Sequence, residues 1–267
     1  MVSMIRLCTA FAAVLTSFLS TIFVYREKFY FIPSANQAID SGDYSTYDKY
    51  TACNGKNIGI VFAHGNAGTS ARWDHHALQI NQVTGSTTYM VNYPGYGRNT
   101  STLNMHNMRE VTQNTIKAIA RLHKRIVLVG ISIGGAIIAD AATSDTLSDI
   151  TFQMDAIILM HTFPSMAHFM HNFTKIPLAI TRNIIHDYNT LNAVKILKHV
   201  QFHVINTRSD ELIPWKLTKA FCDHANVNIH ESNAQNHNNY STSIPTLGYL
   251  IDLEHMCESN PKPAIPI

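Results

Sequence analysis

Five short apolar runs recur between residues 58 and 205, and none of them alternates with polar positions. They are Ile58–Ala63, Thr88–Asn92, Ile126–Val129, Ala156–Met160 and Phe202–Ile205. A strand covered on both faces loses its polar alternation, so these runs read as buried strands of a parallel sheet. The intervening segments carry a helical period. Met108, Val111, Thr115, Ile119 and Leu122 recur at three- and four-residue intervals, which predicts an apolar stripe on a helix ending near Lys124. Gly134, Gly135, Ala136 and Ala139 open a second helix, with side chains small enough for close packing on the sheet. Tyr50–Cys53 and Ile58–Ala63 flank Asn54-Gly55, a dipeptide suited to positive φ, and so predict an antiparallel edge hairpin. Strands alternating with helices predict a mostly parallel α/β sheet with helices on both faces. The stretch from Thr162 to Val194 is longer and rich in Phe163, Met166, Phe169, Met170 and Phe173. It is expected to form a small helical cap over the carboxyl edge of the sheet.

The N-terminus has a different pattern. Leu7 to Val24 carries no charge and is mostly apolar, with Arg6 before it and Arg26 and Lys28 after it. As a helix this run rises about 27 Å, close to the ~30 Å hydrocarbon core of a bilayer. No small-x-small site closes the run, so an uncleaved membrane anchor is favoured over a signal peptide, with a buried helix as the third reading. The flanking charges lie on both sides and leave orientation and compartment open; a cleaved leader would make the protein secreted. The expected organisation is residues 1–28 as anchor or signal peptide, 29–255 as one catalytic-size domain with its cap at about 162–194, and 256–267 as a Pro-rich tail.

Composition narrows the function classes. Lys plus Arg is 20 and Asp plus Glu is 18 in 267 residues, a balance of +2 that gives no basic footprint for nucleic acid. Of the four cysteines, Cys8 lies in the apolar run, and Cys53, Cys222 and Cys257 form no CxxC pair that would hold zinc. Three such cysteines allow one disulfide at most. No phosphate- or dinucleotide-binding motif is present, and no cofactor or metal is expected: Gly95-Tyr96-Gly97 lacks a third glycine, and no Gly-Lys-Ser/Thr follows Gly65.

The chemistry is concentrated in Gly130-Ile131-Ser132-Ile133-Gly134, between the clearest strand and the small-residue helix. A strand–turn–helix elbow needs residues without bulk two before and two after its nucleophile, and glycine stands at both places. Ser132 is therefore the candidate nucleophile. A hydroxyl needs a base, and the base needs an orienting acid. Asp210 follows the Phe202–Ile205 strand in Asp210-Glu211-Leu212-Ile213-Pro214, and His237 lies in a polar loop further on. Glu211 is the competing acid; His230, inside an expected strand, and His255 are the competing bases among 15 histidines. An oxyanion hole requires two backbone N–H donors. Ile133 is the expected first donor. Asn66, in His64-Gly65-Asn66-Ala67-Gly68, is the expected second.

His64–Gly68, Asn92-Tyr93-Pro94-Gly95-Tyr96-Gly97, Gly130–Gly135, Asp210-x-x-Ile213-Pro214 and His237-Asn238 occur in one order over residues 28 to 250. Together they resemble the α/β-hydrolase-domain proteins that carry an N-terminal membrane anchor, relatives of monoacylglycerol and lysophospholipid lipases and of depalmitoylases. The resemblance implies the α/β-hydrolase fold, a Ser132–Asp210–His237 triad, and an acyl ester or thioester substrate, lipid-like in kind. Ile131 stands where relatives often carry a polar or aromatic residue, and Asn54-Gly55 replaces their Asp-Gly turn. A serine aminopeptidase would need an acidic patch for the substrate amine, which is not evident. A non-catalytic binding protein of this fold would usually lack one triad member, and here all three positions are filled.

Overall fold

A computed structural model describes residues 46–52, 58–67, 70–96, 99–185 and 188–256, together with residue 17. Seven strands form one sheet: β1 (Tyr47–Tyr50), β2 (Ile58–Ala63), β3 (Thr87–Val91), β4 (Arg125–Ile131), β5 (Met154–Met160), β6 (Gln201–Asn206) and β7 (Asn228–Glu231). Their spatial order is β1-β3-β2-β4-β5-β6-β7. Every pairing from β3 to β7 is parallel, and only β1 runs antiparallel, with Tyr47 opposite Val91. This is the α/β-hydrolase fold, a mostly parallel seven-stranded sheet flanked by helices.

The eight helices described are α1 (Ser70–Thr84), α2 (Met105–Leu122), α3 (Ile133–Ala142), α4 (Met166–Thr174), α5 (Leu178–Ile184), α6 (Thr190–Ile196), α7 (Trp215–Ala225) and α8 (Ile244–Met256). Alternate residues along each strand enter different cores, as the two-residue strand period requires. Val61, Ala63, Leu128, Ile157, Leu159 and Val204 pack with α2, α3, α6 and α7. Ile60, Phe62, Val127, Val129, Ile158 and Met160 pack with α1 and α8. Both faces are thus covered, which is why the strands showed continuous apolar runs.

The five expected strands are present, with ends shifted by two residues at most. The stripe on α2 is also present: Met108, Val111, Thr115 and Ile119 are buried, and Asn104 Oδ1 caps the helix by accepting the Asn107 N–H at 2.7 Å. Leu122 departs from the stripe: it is the last residue of α2 and is 59% exposed. The edge hairpin is a correction. The strand before Asn54-Gly55 is Tyr47–Tyr50, and it pairs with β3 and not with β2. Both edges of β2 are taken by the parallel partners β3 and β4, so only the outer edge of β3 is open. Thr51 and Ala52 lie beyond the strand, and Asn54-Gly55 is outside the described residues.

Between β5 and β6 the chain forms α4, α5 and α6. Apart from residue 17, the apolar run Leu7–Val24 lies outside the described residues, as does the tail from residue 257. No helix among the described residues is long and apolar enough to cross a membrane. Cys222 is a buried free thiol, pushed up to about 12 by burial and by Asp223; Cys8, Cys53 and Cys257 are outside the described residues.

Candidate active site

Strand order defines where a site can form. From β2 the chain turns to α1 on one face and adds β3 on one side; from β4 it turns to α3 on the opposite face and adds β5 on the other side. Loops that leave adjacent strands for opposite faces open a crevice at the carboxyl edge. The four strands β4 to β7 each deliver one side chain there: Ser132 after β4, His161 after β5, Asp210 after β6 and His237 after β7.

The elbow forms because its glycines allow contacts that no other residue permits. A Cβ on Gly130 would lie 2.4 Å from Gly135 Cα, and one on Gly134 would lie 2.2 Å from the carbonyl oxygens of both Ala63 and His64. The turn between them holds Ser132 at φ 54°, ψ −123°. That region is strained for an L-residue, and such strain persists only where surrounding contacts fix it. Here Ser132 N–H donates to Met160 O at 2.9 Å, and Ser132 O accepts from Thr162 Oγ1 at 2.6 Å and from Gly135 N–H at 3.1 Å. The serine hydroxyl consequently stands at the N-terminus of α3.

Ser132 Oγ lies 3.0 Å from His237 Nε2. On the other side of the ring, His237 Nδ1 is 3.0 Å from Asp210 Oδ1 and 2.9 Å from Oδ2. A carboxylate only accepts, so Nδ1 carries the proton and Nε2 presents its lone pair to the serine. Asp210 is 4% exposed. Burial alone would raise its pKa, but hydrogen bonds from His161 and His237, the charge interaction with His237 and the Ile213 amide together lower it to about 2. Asp210 is the acid in reach of the ring; Glu211 serves elsewhere, its Oε2 accepting the backbone N–H of His237 at 2.9 Å. His230 lies on β7, its Nε2 3.3 Å from His203 Nδ1.

The loop after β2 lies against the elbow, since a Cβ on Gly65 would be 3.5 Å from Ile131 O. Asn66 Oδ1 accepts from Ala67 N–H at 2.9 Å and from Tyr96 Oη at 2.7 Å, so the side chain braces the loop. As the expected oxyanion-hole donor, Asn66 would act through its main-chain N–H. Ile133 supplies the first amide of α3, one that no helical carbonyl can reach. His64 is fully buried, stacks on Trp73 at 5.5 Å and has Nδ1 2.8 Å from Gly65 O. Burial lowers its pKa to about 4, against the raising effect of the Gly65 carbonyl.

His161 is the site residue that the motif reading missed. Its Nδ1 is 3.1 Å from Asp210 Oδ2 and its Nε2 is 2.9 Å from Ser243 Oγ. His161-Thr162 follows an expected strand, a position shared with Ser132 and Asp210, and that was the available signal. Ligand-type atoms of His161, Asp210 and His237 lie within 4.8 Å of one another, the only such grouping among the described residues. An ionised carboxylate only accepts, so each imidazole turns an Nδ1–H toward Asp210, and hydrogen bonds account for the grouping.

Among curated proteins, none is similar enough in sequence to count as a match. Solved structures are similar in fold. A monoacylglycerol lipase of Paleococcus ferrophilus matches with a TM-score of 0.52 at 13% identity, over 78% of this chain and 98% of that one. An esterase of Pyrococcus furiosus gives 0.55 at 14%, over 86% and 98%. Est1E of Butyrivibrio proteoclasticus, solved with ferulic acid, gives 0.57 at 16%, over 79% and 94%. At these identities the likeness speaks for the fold alone. Residues 60–195, just over half of the sequence, match the family model described as "Alpha/beta hydrolase family", and the chain belongs to that family.

Proposed function

We propose that this protein is a serine hydrolase that cleaves carboxylic ester or thioester bonds through an acyl-enzyme on Ser132. The observation that carries this reading is the linear array Ser132 Oγ–His237 Nε2, 3.0 Å, and His237 Nδ1–Asp210 Oδ2, 2.9 Å. In the proposed mechanism His237 takes the hydroxyl proton as Ser132 Oγ attacks the acyl carbon. The oxygen that becomes negative is stabilised by the Ile133 and Asn66 amides and by the positive end of α3. His237 then donates its proton to the leaving alkoxide or thiolate. Water, deprotonated by the same ring, releases the acid in the second half-reaction. Asp210, depressed to about 2 by its imidazole donors despite burial, stays ionised throughout the neutral range and stabilises the imidazolium formed at each step.

An apolar acyl group fits the surroundings better than a polar one. Phe163, Met166 and Met170 are buried behind the carboxyl edge, while Phe173 and Ile180 are exposed on α4 and α5. This supports a lipid or acylated substrate, as does the apolar run Leu7–Val24, which we read as a membrane anchor that brings the domain to its substrate. A fluorophosphonate probe tests the reaction class: the wild type should label and Ser132→Ala should not. Graded p-nitrophenyl esters test the substrate class, and hydrolysis confined to the shortest acyl chains would refute the lipid reading. Deleting residues 1–28 should leave turnover of a soluble ester within a factor of a few and lower turnover of a bilayer-embedded one much further.

A further inference from the structure

The Asp210 carboxylate has two imidazole donors, and only one of them leads to Ser132. The second, His161, has no exposed surface and sits at φ +50° just beyond β5. Its backbone N–H donates to Ile205 O at 2.8 Å, which fixes the main chain across the β5–β6 edge. Its ring meets the His237 ring edge-on, 5.9 Å between centroids at 86°. Both ring nitrogens are engaged. Nδ1 is 3.1 Å from Asp210 Oδ2, and Nε2 is 2.9 Å from Ser243 Oγ, which in turn lies 2.8 Å from Ser232 Oγ.

A polar ring of this kind is a demanding core residue. A leucine would fill similar space without needing two hydrogen-bond partners, and a half-satisfied buried ring would be destabilising. What the ring adds is direction. Asp210 Oδ1 is held by the Leu212 and Ile213 amides at 3.0 and 2.7 Å, but no main-chain group holds Oδ2. Without His161, Oδ2 would be held by His237 alone, and the carboxylate would be anchored only through Oδ1 and the ring it has to orient.

We propose that His161 is a positioning residue for the proposed triad: its Nδ1–H holds Asp210 Oδ2 where His237 needs it, and the Ser243–Ser232 pair holds the His161 ring. The proposal rests on the serine-hydrolase reading above. Among the described residues, the ionisable groups facing the couple are His161, His237, Glu211 through the His237 amide, and Tyr240, whose ring lies 5.5 Å from His161 and 5.7 Å from His237 between centroids. Sharing one carboxylate between two N–H donors leaves less of its charge for His237.

The amide nitrogen of an asparagine can stand near the place of Nδ1, and asparagine tolerates positive φ. The amide nitrogen of a glutamine lies near the place of Nε2. His161→Asn should therefore retain kcat within a factor of a few. His161→Gln and His161→Leu should lose kcat on the order of 10–100-fold at unchanged KM, the scale of a misplaced catalytic geometry. In those two variants the acid limb of kcat/KM should move to higher pH, because Asp210 then serves one imidazole; in His161→Asn it should stay. Equal losses in Asn and Leu with an unmoved limb would make His161 a packing residue only and overturn the proposal, and so would full activity of the Leu variant. If the wild type neither labels with fluorophosphonate nor cleaves any ester, the serine-hydrolase reading has failed instead. The positioning bond is then read by proton NMR of the full chain: two downfield imidazole N–H signals are expected, both shifted in Asp210→Asn and one absent in His161→Asn. Independent behaviour of the two signals would overturn the proposal.

Discussion

The Tyr96 hydroxyl donates to Asn66 Oδ1 at 2.7 Å, tying the loop after β3 to the loop after β2. The same oxygen accepts the Ala67 N–H at 2.9 Å, so Asn66 is held from two sides and its main-chain N–H is set in direction. Tyr96 is buried and its ring meets His64 edge-on at 5.5 Å. Tyr96→Phe keeps that packing and removes one donor. One hydrogen bond is worth about 1 kcal/mol, so stability should fall by about that much, and kcat on an ester should fall roughly three- to tenfold with KM nearly unchanged. An unchanged kcat would mean that Asn66 is not part of the oxyanion hole.

Asp210 and Glu211 adjoin in sequence but are expected to behave differently when neutralised. Asp210→Asn presents an amide where His237 Nδ1–H needs an acceptor, which favours the wrong tautomer and should lower kcat by about 10⁴-fold. Glu211→Gln keeps a carbonyl oxygen for the His237 amide now bonded at 2.9 Å, and kcat should stay within about threefold of wild type, as for a conserved neutral bond. Single-turnover acylation of both variants is the measurement. Similar losses in the two would place Glu211 in the chemistry.

Gly134 tests the elbow as architecture. A methyl there would stand 2.2 Å from two backbone oxygens of the β2 end, Ala63 O and His64 O, and neither can swing away as a side chain would. Gly134→Ala should therefore separate α3 from β2 and yield little folded protein. Gly248→Ala on α8 is the control, since its nearest neighbours are Val83 atoms at 3.3 Å and alanine favours the helix. Thermal unfolding of the two purified variants decides it, and a Gly134→Ala protein melting with the wild type would refute the close approach.

Much of this architecture was legible because the sheet is buried on both faces: the runs at Ile126–Val129 and Ala156–Met160 are continuous, short and rich in β-branched residues, which favours a buried strand over a helix segment. The candidates Ser132, Asp210 and His237, which the fold brings within hydrogen-bond distance, could be picked out for a related reason, as polar side chains placed just after such runs or in a later loop. His161 satisfied the same positional rule and was passed over, because a lone histidine in an apolar setting gives no local sign of its partner 49 positions along the chain. The edge strand was misplaced for a similar cause. Asn54-Gly55 is a local signal, whereas the pairing of Tyr47 with Val91 depends on which sheet edge remains open. Local chemistry was readable; competition between distant elements was not.

Acid stability should depend on His64. Its folded pKa is depressed to about 4, chiefly by burial, while an exposed histidine titrates at 6.5. Between those values the unfolded chain binds a proton that the folded one refuses, so stability rises with pH across this window and is fully regained above 6.5. The window is worth roughly 3 kcal/mol. Asp210 contributes in a lower window, with stability present above 3.8 and lost as pH falls toward about 2. Urea unfolding of wild type and His64→Gln at pH 4.5 and 7.5 should show a steeper acid loss in the wild type. Equal slopes would remove His64 as the cause.

The last prediction concerns chain length. Phe163, Phe169 and Phe173 form a ladder with centroids 5.1 and 6.0 Å apart, running from a buried ring to one that is 66% exposed on α4. A ladder that begins beside Thr162, whose hydroxyl holds the Ser132 carbonyl, and ends at the surface gives an acyl chain an apolar route outward. Each methylene laid along it would contribute about 0.8 kcal/mol, or roughly fourfold in kcat/KM, until the exposed end is reached. Phe173→Ser shortens the route at that end without touching Phe163. Short esters such as p-nitrophenyl butyrate should then be hydrolysed at wild-type kcat/KM, while the laurate should lose about tenfold, the scale of one lost aromatic contact surface. Equal losses on both esters would mean that Phe173 supports the fold of α4 rather than the substrate, and no loss on either would place the acyl chain elsewhere on the carboxyl edge.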